Sequence, residues 1–65
     1  MGYMKGDNMK PYKYYRRFRN NGEWSQWYET TLEEIERIFD RFQIASMRYG
    51  RHQYTLSGEY RAEEE

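Results

Sequence analysis

Cysteine and valine are absent from this 65-residue sequence, and aliphatic residues are scarce. Without cysteine, neither a disulfide framework nor a thiolate zinc site can hold the chain together, and a reducing compartment is favoured, so we expect a cytoplasmic protein. No apolar run approaches the length of a membrane span, which predicts that no membrane is bound. The only isoleucine and leucine residues are Leu32, Ile35, Ile38, Ile44 and Leu56. Most of the core must therefore come from the aromatic residues, which are eight Tyr, two Trp and three Phe.

Groups that enzymes use for catalysis are equally scarce. His52 is the only imidazole and has no activated nucleophile in its pattern, so it is expected to be a structural residue on the inward side of a strand. There is no glycine-rich phosphate loop. The acidic residues that cluster in sequence lie along the outer face of a predicted helix and show no metal-ligand spacing: Glu33, Glu34, Glu36 and Asp40. The sequence therefore predicts no enzyme, no cofactor and no metal site.

Residues 12–30 have the pattern of an aromatic β-hairpin. Residues 20–22 are read as a three-residue loop with Gly22 in the left-handed conformation. This register pairs Arg19 with Glu23, Phe18 with Trp24, Tyr15 with Trp27, Tyr14 with Tyr28 and Lys13 with Glu29. A two-residue Asn21-Gly22 turn is the alternative, and it loses both matches of opposite charge. The three-residue loop is therefore preferred, and it places the Tyr15–Trp27 pair on the face opposite the Phe18–Trp24 pair.

A helix is predicted after the hairpin. Thr31 is a good N-cap with Glu34 three residues later, which is the capping-box spacing. Apolar residues follow at helical intervals, so residues 31–43 are predicted as helix. Residues 44–49 either extend this helix, with Gly50 as its left-handed end, or form a short strand.

The remaining segments complete a small α+β domain. From residue 51 apolar residues alternate with polar ones, which predicts a third strand. Residues 1–10 are predicted to be a mobile N-terminal arm, residues 11–61 a single domain, and residues 62–65 an acidic frayed tail. The predicted fold is β-β-α-β, a three-stranded antiparallel sheet of order 2-1-3 with one helix packed on one face. The predicted core comprises Tyr12, Tyr14, Phe18, Trp24, Tyr28, Tyr54 and Leu56 from the strands, and Leu32, Ile35, Phe39 and Phe42 from the helix.

The first strand interleaves basic and aromatic residues, a combination that nucleic-acid-binding proteins use for phosphates and bases. The residues that would contact nucleic acid are Lys13, Arg16, Arg17 and Arg19. The run Tyr14-Tyr15-Arg16-Arg17-Phe18, then Gly22 and Tyr28-Glu29-Thr30, resembles the three-stranded, helix-backed DNA-binding domains at the amino termini of phage and transposon integrases. That resemblance implies DNA or RNA as a partner. It covers about half of the chain, and the second strand departs from it by carrying Glu23 and Glu29 where basic residues are usual.

Net charge argues against a nucleic-acid partner. The chain is neutral overall, with +5 in residues 1–22 and −5 in residues 23–65. A neutral chain with an acidic end matches a duplex poorly.

Binding to a protein is the preferred hypothesis. Tyr, Trp and Arg are enriched where interfaces derive most of their energy, and the candidate partner-binding residues are Tyr15, Arg17, Arg19 and Trp27. The alternative without a binding function is that the Tyr15–Trp27 pair only stabilises an exposed sheet. Size, lack of cysteine and the aromatic, charged composition resemble small accessory proteins of phages and mobile elements, such as anti-CRISPR proteins, which implies inhibition of a host protein complex. Homodimerisation through the same face is a further alternative.

Overall fold

Five strands and two helices make up the computed structural model, which describes residues 11–65. Their bounds are β1 (Tyr12–Asn20), β2 (Glu23–Trp24), β3 (Tyr28–Thr30), α1 (Leu32–Ile38), α2 (Arg41–Arg48), β4 (Gln53–Tyr54) and β5 (Gly58–Glu64). The sheet is antiparallel with order β2-β1-β5-β4, and β3 also pairs with β1. The α+β class and the antiparallel sheet are confirmed, but three strands and one helix were too few. The predicted arm at 1–10 lies outside the described residues.

The hairpin turn contains two residues, so the predicted three-residue loop is wrong. Asn21 and Gly22 both have positive φ angles, 56° and 82°, and Arg19 lies opposite Trp24. Asn-Gly is the preferred pair for such a turn, because its twist matches that of the two strands it joins. Local turn geometry therefore outweighs the charge pairing on which the predicted register rested.

A bulge then changes the register between the turn and β3. Arg16 lies opposite Tyr28, so residues 25–27 face only two residues of β1. Ser25 holds the bulge through two hydrogen bonds to Phe18: its N–H donates to the carbonyl oxygen at 2.7 Å, and its Oγ accepts from the Phe18 N–H at 2.9 Å. Because one extra residue reverses the face on which later side chains lie, Trp24 and Trp27 come to the same side of the sheet.

The predicted helix is two helices separated at Phe39 and Asp40. Thr31 caps α1 as expected, accepting a hydrogen bond from the Glu34 N–H at 3.2 Å. Asp40 begins α2 by accepting from the N–H of Gln43, whose side chain accepts from the Asp40 N–H in return. This capping box marks a new helix start in the sequence. Residues 44–48 are helical, and Gly50 has the expected positive φ, 101°.

The predicted third strand is a second hairpin formed by β4 and β5. Its turn is held by Thr55, whose N–H donates to the Gly58 carbonyl oxygen at 2.8 Å. β5 continues to Glu64, so residues 62–64, which the sequence assigned to the tail, are paired in the sheet. Pairing with β1 accompanies this extension, because Glu63 and Glu64 lie opposite Lys13 and Tyr12. Nζ of Lys13 is 3.9 Å from a Glu65 carboxylate oxygen.

The core lies between the sheet and the two helices. Its buried members are Tyr14, Ile35, Phe39, Ile44, Met47 and Tyr60, of which Ile35 and Met47 are fully buried. Tyr12, Leu32 and Ala62 pack against them. Several predicted core residues are exposed instead: Tyr28, Phe42, Tyr54 and Leu56. The two-helix arrangement explains Phe42, because Ile44 and Met47 are the residues that α2 turns toward the sheet.

Within residues 11–65, neither helix has the length and apolarity needed to cross a membrane.

Candidate functional site

Alternation along the strands separates two faces of the sheet. Tyr14 and Tyr60 point toward the helices, and their neighbours in sequence point away. We call the side away from the helices the open face. Its central residues are Tyr15, Arg17, Arg19, Trp24, Trp27, His52, Tyr54, Glu59 and Arg61.

Glu59 is the most buried charged residue described, with 4% of its surface exposed although it lies on the open face. Its Oε1 accepts a hydrogen bond from Nε of Arg17 at 2.7 Å and forms an ion pair with Nη2 of the same residue at 2.6 Å. Its Oε2 lies 2.6 Å from Nδ1 of His52 and accepts from the Tyr54 hydroxyl at 3.2 Å. The carboxylate selects the His52 tautomer in which Nδ1 is the donor. One carboxylate on β5 thereby fixes three side chains: Arg17 from β1, Tyr54 from β4, and His52, which directly precedes β4.

These contacts set the protonation of the group. Burial raises the pKa of the Glu59 carboxyl, but hydrogen bonds from His52 and Arg17 and the charge of Arg17 outweigh burial, so the pKa lies below its ordinary value of 4.5. Desolvation and the hydrogen bond to Glu59 raise the pKa of the Tyr54 hydroxyl. Glu59 is therefore ionised at neutral pH and holds Arg17 as an ion pair.

The aromatic residues of the open face alternate with arginines. The Arg17 guanidinium carbon lies 4.5 Å from the ring centre of Trp24 and 4.8 Å from that of Trp27. Arg61 lies 4.7 Å from Trp27 and 4.5 Å from Tyr15. The order is thus Trp24, Arg17, Trp27, Arg61, Tyr15, which we call the open-face stack. Each contact is within the range of a cation–π interaction, so both guanidinium groups and all three rings restrain one another.

All four predicted partner-binding residues come together on this face. Tyr15, Arg17 and Arg19 do so by alternation along β1, and Trp27 does so through the bulge. Tyr15 and Trp27 are not the predicted cross-strand pair, however. Tyr15 lies opposite Glu29, and Arg61 lies over both rings.

The predicted nucleic-acid set is divided between the two sides. Arg16 points toward the helix side, where it lies over Phe18 at 5.2 Å. Lys13 is 3.9 Å from a Glu65 carboxylate oxygen, and Arg17 is paired with Glu59. Arg16 and Arg19 have no carboxylate partner among the described residues. Nε of Arg16 is buried without a hydrogen-bond partner, whereas Arg19 is exposed and stacks on Trp24 at 4.9 Å.

Sequence reasoning missed several residues of this face. Trp24 was assigned to the core because of the wrong register, and His52 was expected on the inward side of its strand. His52 instead contacts Glu59 and the edge of Trp27, with 5.9 Å between ring centres. Arg61 and Glu59 had one available signal, which was the alternation of charged residues at 59, 61 and 63 with Tyr60 and Ala62.

A concave region lies at the end of the sheet, away from the open-face stack. It has a volume of about 440 Å³ and is lined in part by Tyr12, Leu32 and Arg48. Nε of Arg48 donates to the Tyr14 hydroxyl at 2.8 Å, so this arginine is tied to the core. In the part of the chain that the structure describes, no three His, Cys, Asp or Glu side chains converge to hold a metal ion.

Comparison of the chain with protein-family models, with curated proteins and with solved structures finds no match. The functional argument therefore rests on the geometry of the open face.

The depressed pKa of Glu59 predicts a specific loss of stability in acid. A group whose pKa is lower in the folded state stabilises the fold fully above its unfolded pKa, here 4.5, and this contribution disappears as the pH falls through the folded value. We expect the free energy of unfolding of the wild type, measured with urea between about pH 7 and pH 3, to fall more steeply below pH 4.5 than that of Glu59→Gln. If the free energy of unfolding fell equally steeply with pH in both proteins, Glu59 would not be the group that causes the loss of stability in acid.

Proposed function

We propose that the protein is a non-catalytic binding protein whose partner is another protein and whose contact surface is the open face. The observation that carries this proposal is the open-face stack. Trp, Tyr and Arg are the residues that supply most binding energy in protein interfaces, and here two arginines and three aromatic rings already hold fixed positions. Binding would require little further ordering of these side chains, which favours affinity.

The charges of the face support a protein partner over nucleic acid. Arg17 is neutralised by Glu59, and Arg61 lies 3.6 Å from a Glu63 carboxylate oxygen. The face therefore presents alternating charge instead of the continuous positive surface that phosphates require. Arg19 is exposed at its edge, where it would pair with a carboxylate of the partner.

The biological role that we propose is inhibition by occlusion. In this role the domain covers a surface that a host protein complex needs, as small accessory proteins of phages and mobile elements do. The proposal rests on the likeness in size and composition together with the open-face stack.

Capture of the partner from a lysate of the native host tests the proposal when a variant of the open face is compared with a variant on the helix side of the domain. Arg19→Glu should remove the captured protein, because it reverses the exposed charge without altering the Glu59 contacts. Arg37→Glu is the matched control: it makes the same change on α1, where Arg37 is exposed and makes only a 4.0 Å contact with Glu34. The captured protein is then purified and its affinity for each variant is measured. If Arg37→Glu abolished partner binding and Arg19→Glu did not, the assignment of the open face as the binding surface would be contradicted.

Weak binding to DNA is a further expectation. We predict that a generic 30-base-pair duplex shows no saturable binding to the protein in fluorescence anisotropy at low salt, about 20 mM NaCl. The reason is that carboxylates already neutralise two of the open-face arginines. Tight binding that weakens steeply with salt, and that Arg19→Glu reduces, would instead support the nucleic-acid alternative.

A further inference from the structure

The side of α2 that points away from the core carries two exposed aromatic side chains. Ile44 and Met47 face the sheet and are buried. At 100° per residue, Phe42 and Tyr49 lie on the opposite side of the helix, two turns apart. Phe42 is 72% exposed and Tyr49 is 89% exposed, and Ala45 between them is also exposed. We call Phe42, Ala45, Ser46 and Tyr49 the outer face of α2.

Single exposed apolar residues are ordinary, but this arrangement is regular. Two large aromatic side chains flank two small residues at positions i, i+3, i+4 and i+7. Small residues allow a second helix to approach closely, and large ones on either side fill the space beside it. The pattern is also symmetric about a point between Ala45 and Ser46. An antiparallel copy of α2 would therefore place its Tyr49 against Phe42, and its Phe42 against Tyr49.

We propose that the outer face of α2 is the interface of a homodimer with two-fold symmetry. A two-fold interface brings the same patch of both subunits together and must be complementary to itself. The pattern of large and small residues meets that requirement.

Charge supports a second copy as the occupant. Asp40 precedes α2 and Arg51 follows it, at equal distances in sequence from the symmetry point. In the antiparallel arrangement each Asp40 would approach the Arg51 of the other copy. The backbone of Arg51 is held beside α2, because its N–H donates to the Ser46 carbonyl oxygen at 3.0 Å, and its side chain is exposed. The net charge of zero adds no overall repulsion between copies.

The dimer would leave the open face available, because α2 lies on the other side of the sheet. This inference is therefore independent of the proposed function.

Sedimentation equilibrium of the full chain tests the proposal over about 10 µM to 1 mM. We expect a monomer–dimer equilibrium whose dissociation constant rises at least about tenfold in Phe42→Ser, since aromatic residues dominate small interfaces. Leu56→Ser is the matched control, because Leu56 is a fully exposed apolar residue in the β4–β5 turn. Circular dichroism establishes that both variants are folded. A monomer at every concentration, or a dimer that Phe42→Ser does not weaken, would overturn the proposal.

Cross-linking tests the symmetry itself. Since the natural chain has no cysteine, a single introduced thiol reports one position only. A short bis-maleimide should link two copies of Ala45→Cys, which places the thiols near the symmetry point, and should not link Leu56→Cys. Equal linking of both variants would indicate random collision and contradict the proposed interface. Arg51→Glu should weaken the dimer and Arg51→Lys should not, whereas equal effects would contradict the proposed pairing with Asp40.

Discussion

Replacement of Glu59 by alanine is expected to destabilise the domain by about 3 kcal/mol, because it leaves the partly buried guanidinium of Arg17 without its counter-charge. This value is at the lower end of the range for buried pairs, since the Arg17 side chain is 28% exposed and water can replace part of the lost contact. The same change removes the acceptor for His52 and Tyr54. Urea unfolding at neutral pH measures the loss.

Glu63→Ala is the matched control for this experiment. Glu63 lies on the same strand and the same face, and its carboxylate pairs with Arg61 at 3.6 Å, but the Glu63 side chain is 60% exposed. Exposed pairs contribute little, so we expect a change of about 0.5 kcal/mol or less. If Glu59→Ala cost no more than Glu63→Ala, the carboxylate would not organise the open face.

Replacement of Trp27 by alanine is expected to weaken binding of the protein partner by about 30-fold or more, the size of effect found for central aromatic residues of interfaces. Trp27 lies in the middle of the open-face stack, between Arg17 and Arg61. Isothermal titration calorimetry with the purified partner measures the change. The fold should survive, because Trp27 is outside the buried core and each arginine keeps a second aromatic contact, Trp24 for Arg17 and Tyr15 for Arg61.

Tyr28→Ala provides the control for Trp27→Ala. Tyr28 is the next residue in the chain and is about half exposed, but its position opposite Arg16 places it on the helix side of the sheet. We expect this variant to bind the partner as the wild type does. If Trp27→Ala unfolded the domain, the open-face stack would have a structural role only, which is the alternative in which the aromatic residues just stabilise an exposed sheet.

Features encoded by neighbouring residues could be predicted from the sequence. The Thr31 cap and the left-handed Gly50 follow from local rules, and so does the alternation that brings Tyr15, Arg17 and Arg19 to one face. The central position of β1 follows from the chain order. Apart from the position of β1, which pairs with the distant β5, these features depend on contacts within a few residues.

The other features of the fold and of the open face depend on contacts between distant residues, which local sequence patterns do not reveal. The bulge that turns Trp27 toward the open face requires the hydrogen bonds between Ser25 and Phe18. Arg17 and Glu59 are 42 residues apart, so their pairing depends on the register of β1 against β5. Charge pairing within the first hairpin predicted the wrong register, because Arg17 pairs with Glu59 on β5 and Arg19 has no carboxylate partner among the described residues.

Nuclear magnetic resonance of the two tryptophan indole groups tests the central claim most directly. The chain contains only Trp24 and Trp27, and both lie in the open-face stack, so their two N–H signals report this surface alone. When the purified partner is added to the ¹⁵N-labelled domain, we predict that both indole signals shift or broaden while the backbone amide signals of α2 stay unchanged. Saturating binding that leaves both indole signals in place would contradict the assignment of the open face as the binding surface.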